Sequence, residues 1–91
     1  MTQRITLKIY GLVQMVMFRD FIQRKARKLG LVGWVKNKDD GTVRVVAEGE
    51  KDNLEKLISL CYNGPVLSKV DKIDIDWQEP NGEFDEFEIK Y

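Results

Sequence analysis

The chain has 91 residues, with 15 basic and 15 acidic side chains and no histidine. Its length predicts one compact domain over residues 1–91, and a hydrophobic fraction of 43% with only two prolines is typical of a globular protein. The absence of histidine excludes Ser-His-Asp and Cys-His catalysis as well as histidine-ligated metal sites. Cys61 is the single cysteine, so an internal disulfide is excluded and a reducing, cytoplasmic compartment is favoured.

The net charge of zero hides an uneven distribution. Residues 1–44 carry ten lysines and arginines and three acidic residues, a balance of +7, whereas residues 45–91 carry five and twelve, a balance of −7. Such a split is typical of an anion or nucleic-acid site, or of an interface inside one domain, and we favour the interface. The chain has no apolar run of 18 residues and no signal-peptide pattern after Met1, so we expect neither a membrane span nor classical export.

The first half of the chain predicts a strand, a helix and a hairpin. Apolar and polar residues alternate over residues 3–10, which is the pattern of a strand with one buried face. An amphipathic helix follows, because apolar residues then recur at spacings of three and four before Gly30. Two short apolar runs, residues 31–35 and 43–47, flank turn-forming residues and predict a β-hairpin. The helical apolar positions are Phe18, Phe21, Ile22, Ala26 and Leu29.

The second half predicts a helix and two strands. Leu54, Leu57, Ile58 and Cys61 repeat the helical spacing before Gly64-Pro65, and apolar residues alternate again over residues 70–77 and 87–91. The order β-α-β-β-α-β with an additional C-terminal strand predicts an α+β, ferredoxin-like sandwich, in which an antiparallel sheet carries two helices on one face. On that plan the helices lie side by side, so we expect the basic first helix to pair with an acidic second helix.

The segment between the first strand and the first helix predicts an anion site. Backbone N–H groups converge at a helix N-terminus, where unpaired donors and the helix dipole attract phosphate or carboxylate. Arg19 at the start of that helix could add a bidentate guanidinium. An arginine in this position is more often a solvated surface residue, so the spacing alone leaves both interpretations open.

Three motifs stand in order on the predicted elements. They are Gly11-x-Val13-Gln14-x-Val16-x-Phe18-Arg19, Gly33-Trp34-Val35-x-Asn37 and Asp40-Gly41-Thr42-Val43. Glu48-Gly49 and Gly64-Pro65 follow them. Together these residues resemble the acylphosphatase family along essentially the whole chain.

The resemblance implies an enzyme that hydrolyses the carboxyl-phosphate bond of small acyl phosphates to a carboxylate and inorganic phosphate, with no metal and no cofactor. It implies that Arg19 and Asn37 are the catalytic residues, Arg19 binding the phosphate oxygens and Asn37 orienting the attacking water. We expect a monomer that acts on a small-molecule acyl phosphate and binds neither nucleic acid nor membrane. The implied phosphate-binding loop comprises Gln14, Met15, Val16, Met17, Phe18 and Arg19.

Chemistry without histidine is consistent with this substrate class. A carboxylate is a good leaving group, so positioning and charge stabilisation can supply most of the acceleration. Arg19 stays charged at physiological pH, whereas Asn37 can orient a water but is too weak a base to remove its proton. The substrate phosphate would then serve as the base. Without Arg19 and its loop, Asn37 would be interpreted as a turn residue.

Met15 departs from the family pattern, which has glycine at that position. A glycine in a phosphate loop supplies a positive φ or a close backbone approach, and a methionine at positive φ costs about 1–3 kcal/mol. Met15 then either points outward and leaves the enzyme active, or it reshapes the loop and weakens phosphate binding. The alternative function is therefore a weakened or inactive acyl-phosphate-binding domain, as in a larger carbamoyl-transfer protein, although the length favours a stand-alone enzyme.

Other sites are less well supported by the residues. A calcium loop with Gly41 at its sixth position would place Lys36 and Lys38 where acidic ligands are needed, so a hairpin turn is favoured. Asp74 and Asp76 share one strand face, which predicts an exposed surface rather than a catalytic or metal-binding pair. An RNA-recognition sheet would display aromatic residues on its third strand, and residues 43–48 have none. An apolar patch formed by Met15 and Met17 is a further alternative.

Overall fold

The computed structural model describes residues 1–14 and 17–91. The sheet order is β4-β1-β3-β2-β5, and the fold is the predicted ferredoxin-like sandwich. Neither helix in the described residues is long and apolar enough to cross a membrane. The elements are β1 (Thr2–Leu12), α1 (Phe18–Lys28), β2 (Val32–Asn37), β3 (Val43–Glu50), α2 (Lys51–Asn63), β4 (Lys69–Gln78) and β5 (Phe87–Lys90).

The core lies between one face of the sheet and the two helices. Alternate residues of the central strands β1 and β3 are fully buried there, as their period-2 pattern predicts. The apolar stripes of α1 and α2 cover the same face, and burying each large side chain contributes about 1.5–3 kcal/mol. The main members of this core are Ile5, Leu7, Ile9, Phe18, Ile22, Ala26, Val35, Val45, Leu54, Leu57 and Cys61.

The last strand departs from the predicted antiparallel sheet. β5 pairs with β2 in parallel, Gly33 lying opposite Phe87 and Val35 opposite Ile89, whereas the other pairings are antiparallel. The reason is topological, because β4 lies at one edge of the sheet and runs towards the end at which β2 begins. The chain crosses that end over residues 79–86 and must enter β5 in the direction of β2.

A buried carboxylate holds this crossing segment to the sheet. Glu48 on β3 is only 3% exposed, and its side chain accepts hydrogen bonds from Arg4 Nη1 and from the backbone N–H groups of Asn81 and Gly82, each at 3.2 Å. A buried charge with several donors is satisfied, and removing its partners would be costly. The sequence indicated no such role for Glu48, which thereby helps to place β5 at the edge of the sheet.

The charge split has a different origin from the one expected. In the part of the chain that the structure describes, no ion pair joins α1 to α2, so the predicted pairing of the helices is wrong. The reason is that α2 carries two acidic and two basic side chains, whereas most acidic residues of the second half follow residue 70. The basic half meets them in the segment before β5, where Arg4 pairs with Glu83 and Arg27 approaches Glu86.

Candidate active site

A cavity opens at the end of the sheet where three strands finish and α1 begins. β1, β2 and β5 all run towards this end, because β1 and β2 are both antiparallel to β3 and β5 is parallel to β2. The cavity has a volume of about 330 Å³. Its lining residues are Val13, Met17, Phe18, Arg19, Asp20, Asn37, Ile89 and Tyr91.

The structure brings Arg19 and Asn37, the two predicted catalytic residues, to this cavity. Arg19 lies in the first turn of α1 and Asn37 is the last residue of β2, so they come from different elements of the fold. The guanidinium carbon of Arg19 lies 4.7 Å from the centre of the Tyr91 ring. A cation and two neutral polar groups thus share one concave site.

The side-chain oxygen of Asn37, Oδ1, is buried and accepts no hydrogen bond from the described residues. Most buried polar atoms in proteins have a partner, and an exception calls for an explanation such as a catalytic role or a bound water or ion. The position of Asn37 at the cavity therefore fits a side-chain amide that hydrogen-bonds to a water or a ligand bound there.

The beginning of α1 provides further donors. No side chain caps the helix at Met17, and the first intrahelical bond runs from Phe21 N to Met17 O at 3.0 Å. The N–H groups of the first turn have no acceptor inside the helix, so they and the positive end of the helix dipole are available to an anion. Asp20 in that turn is acidic, but its carboxylate is held by Arg24 Nε at 2.9 Å.

Met17 has a backbone conformation that the sequence did not reveal. Its φ of 60° and ψ of 26° lie in the left-handed region, which a non-glycine residue enters at a cost. The sequence suggests such strain at Met15 instead, on condition that its φ is positive. Met15 and Val16, both predicted members of the phosphate-binding loop, lie outside the described residues, so their roles stay predictions.

Gln14, another predicted loop member, uses its side chain elsewhere. Its Nε2 donates hydrogen bonds to the carbonyl oxygens of Lys38 and Thr42, at 2.8 and 2.9 Å. The side chain therefore contacts the turn between β2 and β3, and Gln14 is not among the residues that line the cavity.

The turn that follows Asn37 is itself rigidly bonded. Asp40 Oδ1 accepts from the backbone N–H of Thr42 at 3.0 Å and from its hydroxyl at 2.6 Å. These two hydrogen bonds, with a smaller contribution from Lys8, lower the pKa of the Asp40 carboxyl to about 2. This is the predicted hairpin turn, and a second hollow of about 280 Å³ beside it shares Asn37 as a lining residue.

Acidic side chains do not gather at the site. Within residues 1–14 and 17–91, no three acidic or cysteine side chains are grouped so that they could hold a metal ion. Asp74 and Asp76 are exposed on β4, as predicted, where Asp74 accepts a hydrogen bond from Tyr10 and Asp76 one from Gln78. The polar side chains that line the cavity are Arg19, Asn37, Tyr91 and Asp20, and the carboxylate of Asp20 is paired with Arg24.

Sequence reasoning missed part of the cavity wall. Ile89 and Tyr91 were predicted only as strand residues, and Asp20 only as part of the helix. Alternation shows which strand residues share a face, but it does not show which neighbour a strand pairs with. The parallel pairing of β5 with β2 is what brings Ile89 and Tyr91 beside Asn37.

Known proteins resemble this chain in sequence and in structure. The model of the acylphosphatase family matches residues 5–89. An acylphosphatase of Salinibacter ruber is 42% identical over 97% of this chain and 93% of its own, and one of Thermococcus kodakarensis is 48% identical over 87% of each chain. The crystal structure of the Bacillus subtilis acylphosphatase matches this chain with a TM-score of 0.95, and the match covers 100% of both chains at 37% sequence identity.

Proposed function

The chain belongs to the acylphosphatase family of enzymes, which hydrolyse acyl phosphates, and from that premise we propose how its residues carry out the reaction. Arg19 and backbone N–H groups before and within the first turn of α1 bind the phosphoryl group, and Asn37 orients the attacking water. The observation that supports this assignment is that Arg19 and Asn37, from different elements, line the same cavity.

Phosphate binding depends on charge and on preorganised donors. The planar guanidinium of Arg19 can donate two parallel hydrogen bonds to phosphoryl oxygens, and the first-turn N–H groups of α1 add donors and the helix dipole. We assign the remaining donors to the backbone of residues 14–18, of which Met15 and Val16 lie outside the described residues. Arg19 and the first-turn N–H groups belong to α1, which holds them in place before substrate arrives, so little reorganisation of these donors is needed during reaction.

The chemical step transfers the phosphoryl group to water. The water oxygen attacks phosphorus, the bond from phosphorus to the carboxyl oxygen breaks, and the carboxylate leaves with the bonding electrons. A proton from the water passes to a phosphoryl oxygen, so the products are a carboxylate and inorganic phosphate. The carboxamide of Asn37 can accept a hydrogen bond from that water through Oδ1, which has no partner among the described residues.

The rest of the cavity wall suits the acyl group. Val13, Ile89 and the ring of Tyr91 line the cavity beside the polar groups. An apolar wall favours the carbon skeleton of a small acyl group over water, and the carboxylate of Asp20 in the same lining is paired with Arg24. No metal or cofactor has a role in the proposed mechanism.

Hydrolysis of acetyl phosphate in the presence of EDTA, with inorganic phosphate as competitor, tests this mechanism. Arg19→Ala should lower kcat/KM by about 10³-fold and abolish inhibition by phosphate, because the main phosphate ligand is lost. Asn37→Ala should lower kcat by about 10²-fold with little change in the phosphate inhibition constant, because Asn37 contacts the water rather than the phosphate. Lys28→Ala and Asn63→Ala are matched controls, since both residues are exposed and lie away from the cavity.

Three results would contradict the proposal. Full activity of Arg19→Ala or of Asn37→Ala would remove the assigned role of that residue. Equal losses in the matched controls would attribute the effects to charge or folding instead. Phosphate binding without any turnover by the parent chain would favour the weakened, anion-binding alternative.

A further inference from the structure

The side chain of Gln14 joins two parts of the active site that are far apart in sequence. Gln14 lies between the end of β1 and Met17, in the segment assigned to phosphate binding. Its Nε2 donates to the carbonyl oxygens of Lys38 and Thr42 at 2.8 and 2.9 Å. Because both partners are acceptors only, the amino group and not the oxygen of the carboxamide must face them.

The two carbonyls form the neck of the turn that follows Asn37. Lys38 N donates to Thr42 O at 2.9 Å, and Gly41 N donates to Lys38 O at 3.1 Å. Asn37 directly precedes Lys38 and lies opposite Val43 in the register of β2 and β3. The Gln14 amide therefore holds the two backbone carbonyl groups at the base of the turn, next to the proposed water-orienting residue.

We propose that Gln14 is a positioning residue that fixes the distance between the phosphate-binding loop and Asn37, an inference that rests on the proposed role of Asn37. An in-line attack requires water and phosphorus to be held at one separation, and Arg19 and Asn37 belong to elements that no covalent link keeps together locally. Two hydrogen bonds from one side chain provide that link. Misplacement by about 1 Å is enough to lower a rate by about 100-fold.

A role of the Gln14 side chain in binding phosphate directly is not supported by the geometry. Both N–H groups of the carboxamide are directed to the turn, and the side chain does not line the cavity. A carboxamide oxygen cannot donate to a phosphate oxygen. Loss of the side-chain donors should consequently affect kcat more than phosphate affinity.

Gln14→Met removes the donors while nearly preserving length and volume. We expect kcat to fall by about 10-fold and the inhibition constant of inorganic phosphate to stay within about twofold, because the loop and Arg19 remain while Asn37 is displaced. Gln14→Lys restores donors to the two carbonyls and should recover part of the lost kcat. Gln14→Glu should be least active at neutral pH and should recover as the pH falls, because a protonated carboxyl can donate one hydrogen bond.

A double-mutant cycle with Asn37→Ala identifies the residue through which Gln14 acts. If Gln14 positions Asn37, Gln14→Met should lower kcat by no more than about twofold in the Asn37→Ala background, because the positioned group is already gone. Assays are run well below the melting temperature of each variant, so that a loss of stability does not reduce the folded fraction.

The outcomes separate this inference from the proposed function. Suppose that Asn37→Ala lowers kcat as expected, but the losses of kcat in the two single variants multiply in the double variant. The positioning role of Gln14 would then be overturned, while the proposed function would stand. A rise in the phosphate inhibition constant that matches the loss of kcat would also overturn it, since Gln14 would then support binding. Full activity of Asn37→Ala would overturn the proposed function, and this inference with it.

Discussion

The guanidinium of Arg19 rests on the ring of Tyr91, 4.7 Å from its centre, at the rim of the cavity that also contains Asn37. A guanidinium that stacks on an aromatic ring keeps the N–H groups at its edge available for phosphate. Tyr91 is itself 88% exposed, so little else in the described residues restrains the ring. The contact therefore links Tyr91, which follows β5, to Arg19, the residue proposed to bind phosphate.

Replacing the ring should weaken phosphate binding modestly. An exposed cation–π contact contributes about 0.5–1 kcal/mol, so Tyr91→Leu should raise both KM and the phosphate inhibition constant by about twofold to fivefold. Tyr91→Phe keeps the ring and should behave like the parent. Steady-state assays with acetyl phosphate measure both effects, and equal KM values for the leucine and phenylalanine variants would show that the ring does not orient Arg19.

The left-handed backbone at Met17 predicts a reversed order of stability between two small residues. Met17→Gly and Met17→Ala remove the same side chain and differ only in Cβ, which is strained at a φ of 60°. We expect the glycine variant to be more stable than the alanine variant by about 1 kcal/mol, opposite to the usual helix preference. Urea unfolding of both variants measures the difference, and an alanine variant of equal or greater stability would contradict strain at this position.

The resemblance implies glycine where this chain has Met15, and we expect a glycine at this position to improve the enzyme. Met15→Gly is expected to raise kcat/KM for acetyl phosphate by about fivefold, equivalent to about 1 kcal/mol of better phosphate binding. Met15→Ala serves as the control, because it removes the side chain without supplying the freedom of glycine. An unchanged or lower value for Met15→Gly would mean that the methionine does not impair the site.

The depressed pKa of Asp40 predicts a contribution to stability that depends on pH. The ordinary pKa of 3.8 applies to the unfolded chain and a value of about 2 to the folded protein, so folding favours the carboxylate. The contribution is fully present above about pH 4 and is lost as the pH falls from about 4 to about 2. Thermal unfolding across this range should show a smaller acid-dependent loss in Asp40→Asn than in the parent.

The neighbouring acid provides the control for that experiment. Asp39 is exposed in the same turn and makes no hydrogen bond or ion pair with the described residues. Asp39→Asn keeps the two hydrogen bonds that Asp40 accepts from Thr42, so the acid-dependent loss assigned to those bonds should persist in this variant. Identical acid profiles for Asp40→Asn and the parent would contradict the stabilising role assigned to the hydrogen bonds from Thr42.

Hydrophobic periodicity was a sufficient guide to the elements because it reflects purely local geometry. A period of two over residues 3–10 and spacings of three and four from Phe18 to Leu29 depend only on which side chains must face the core. The catalytic roles of Arg19 and Asn37 did not follow from periodicity, because they were implied only by the resemblance of the motifs to the acylphosphatase family. Pairing of charges between the helices was not predicted correctly, because composition does not show which acidic residues lie close to α1.

The sequence by itself thus determined the ferredoxin-like order of elements and the family. Only the tertiary structure decided that β5 enters the sheet in parallel beside β2, that Glu48 is buried beneath the segment before it, and that Gln14 reaches the turn after Asn37. The physical reason is that such contacts depend on register, edge choice and the direction of a chain crossing. These are settled by the packing of the whole sheet rather than by any local pattern.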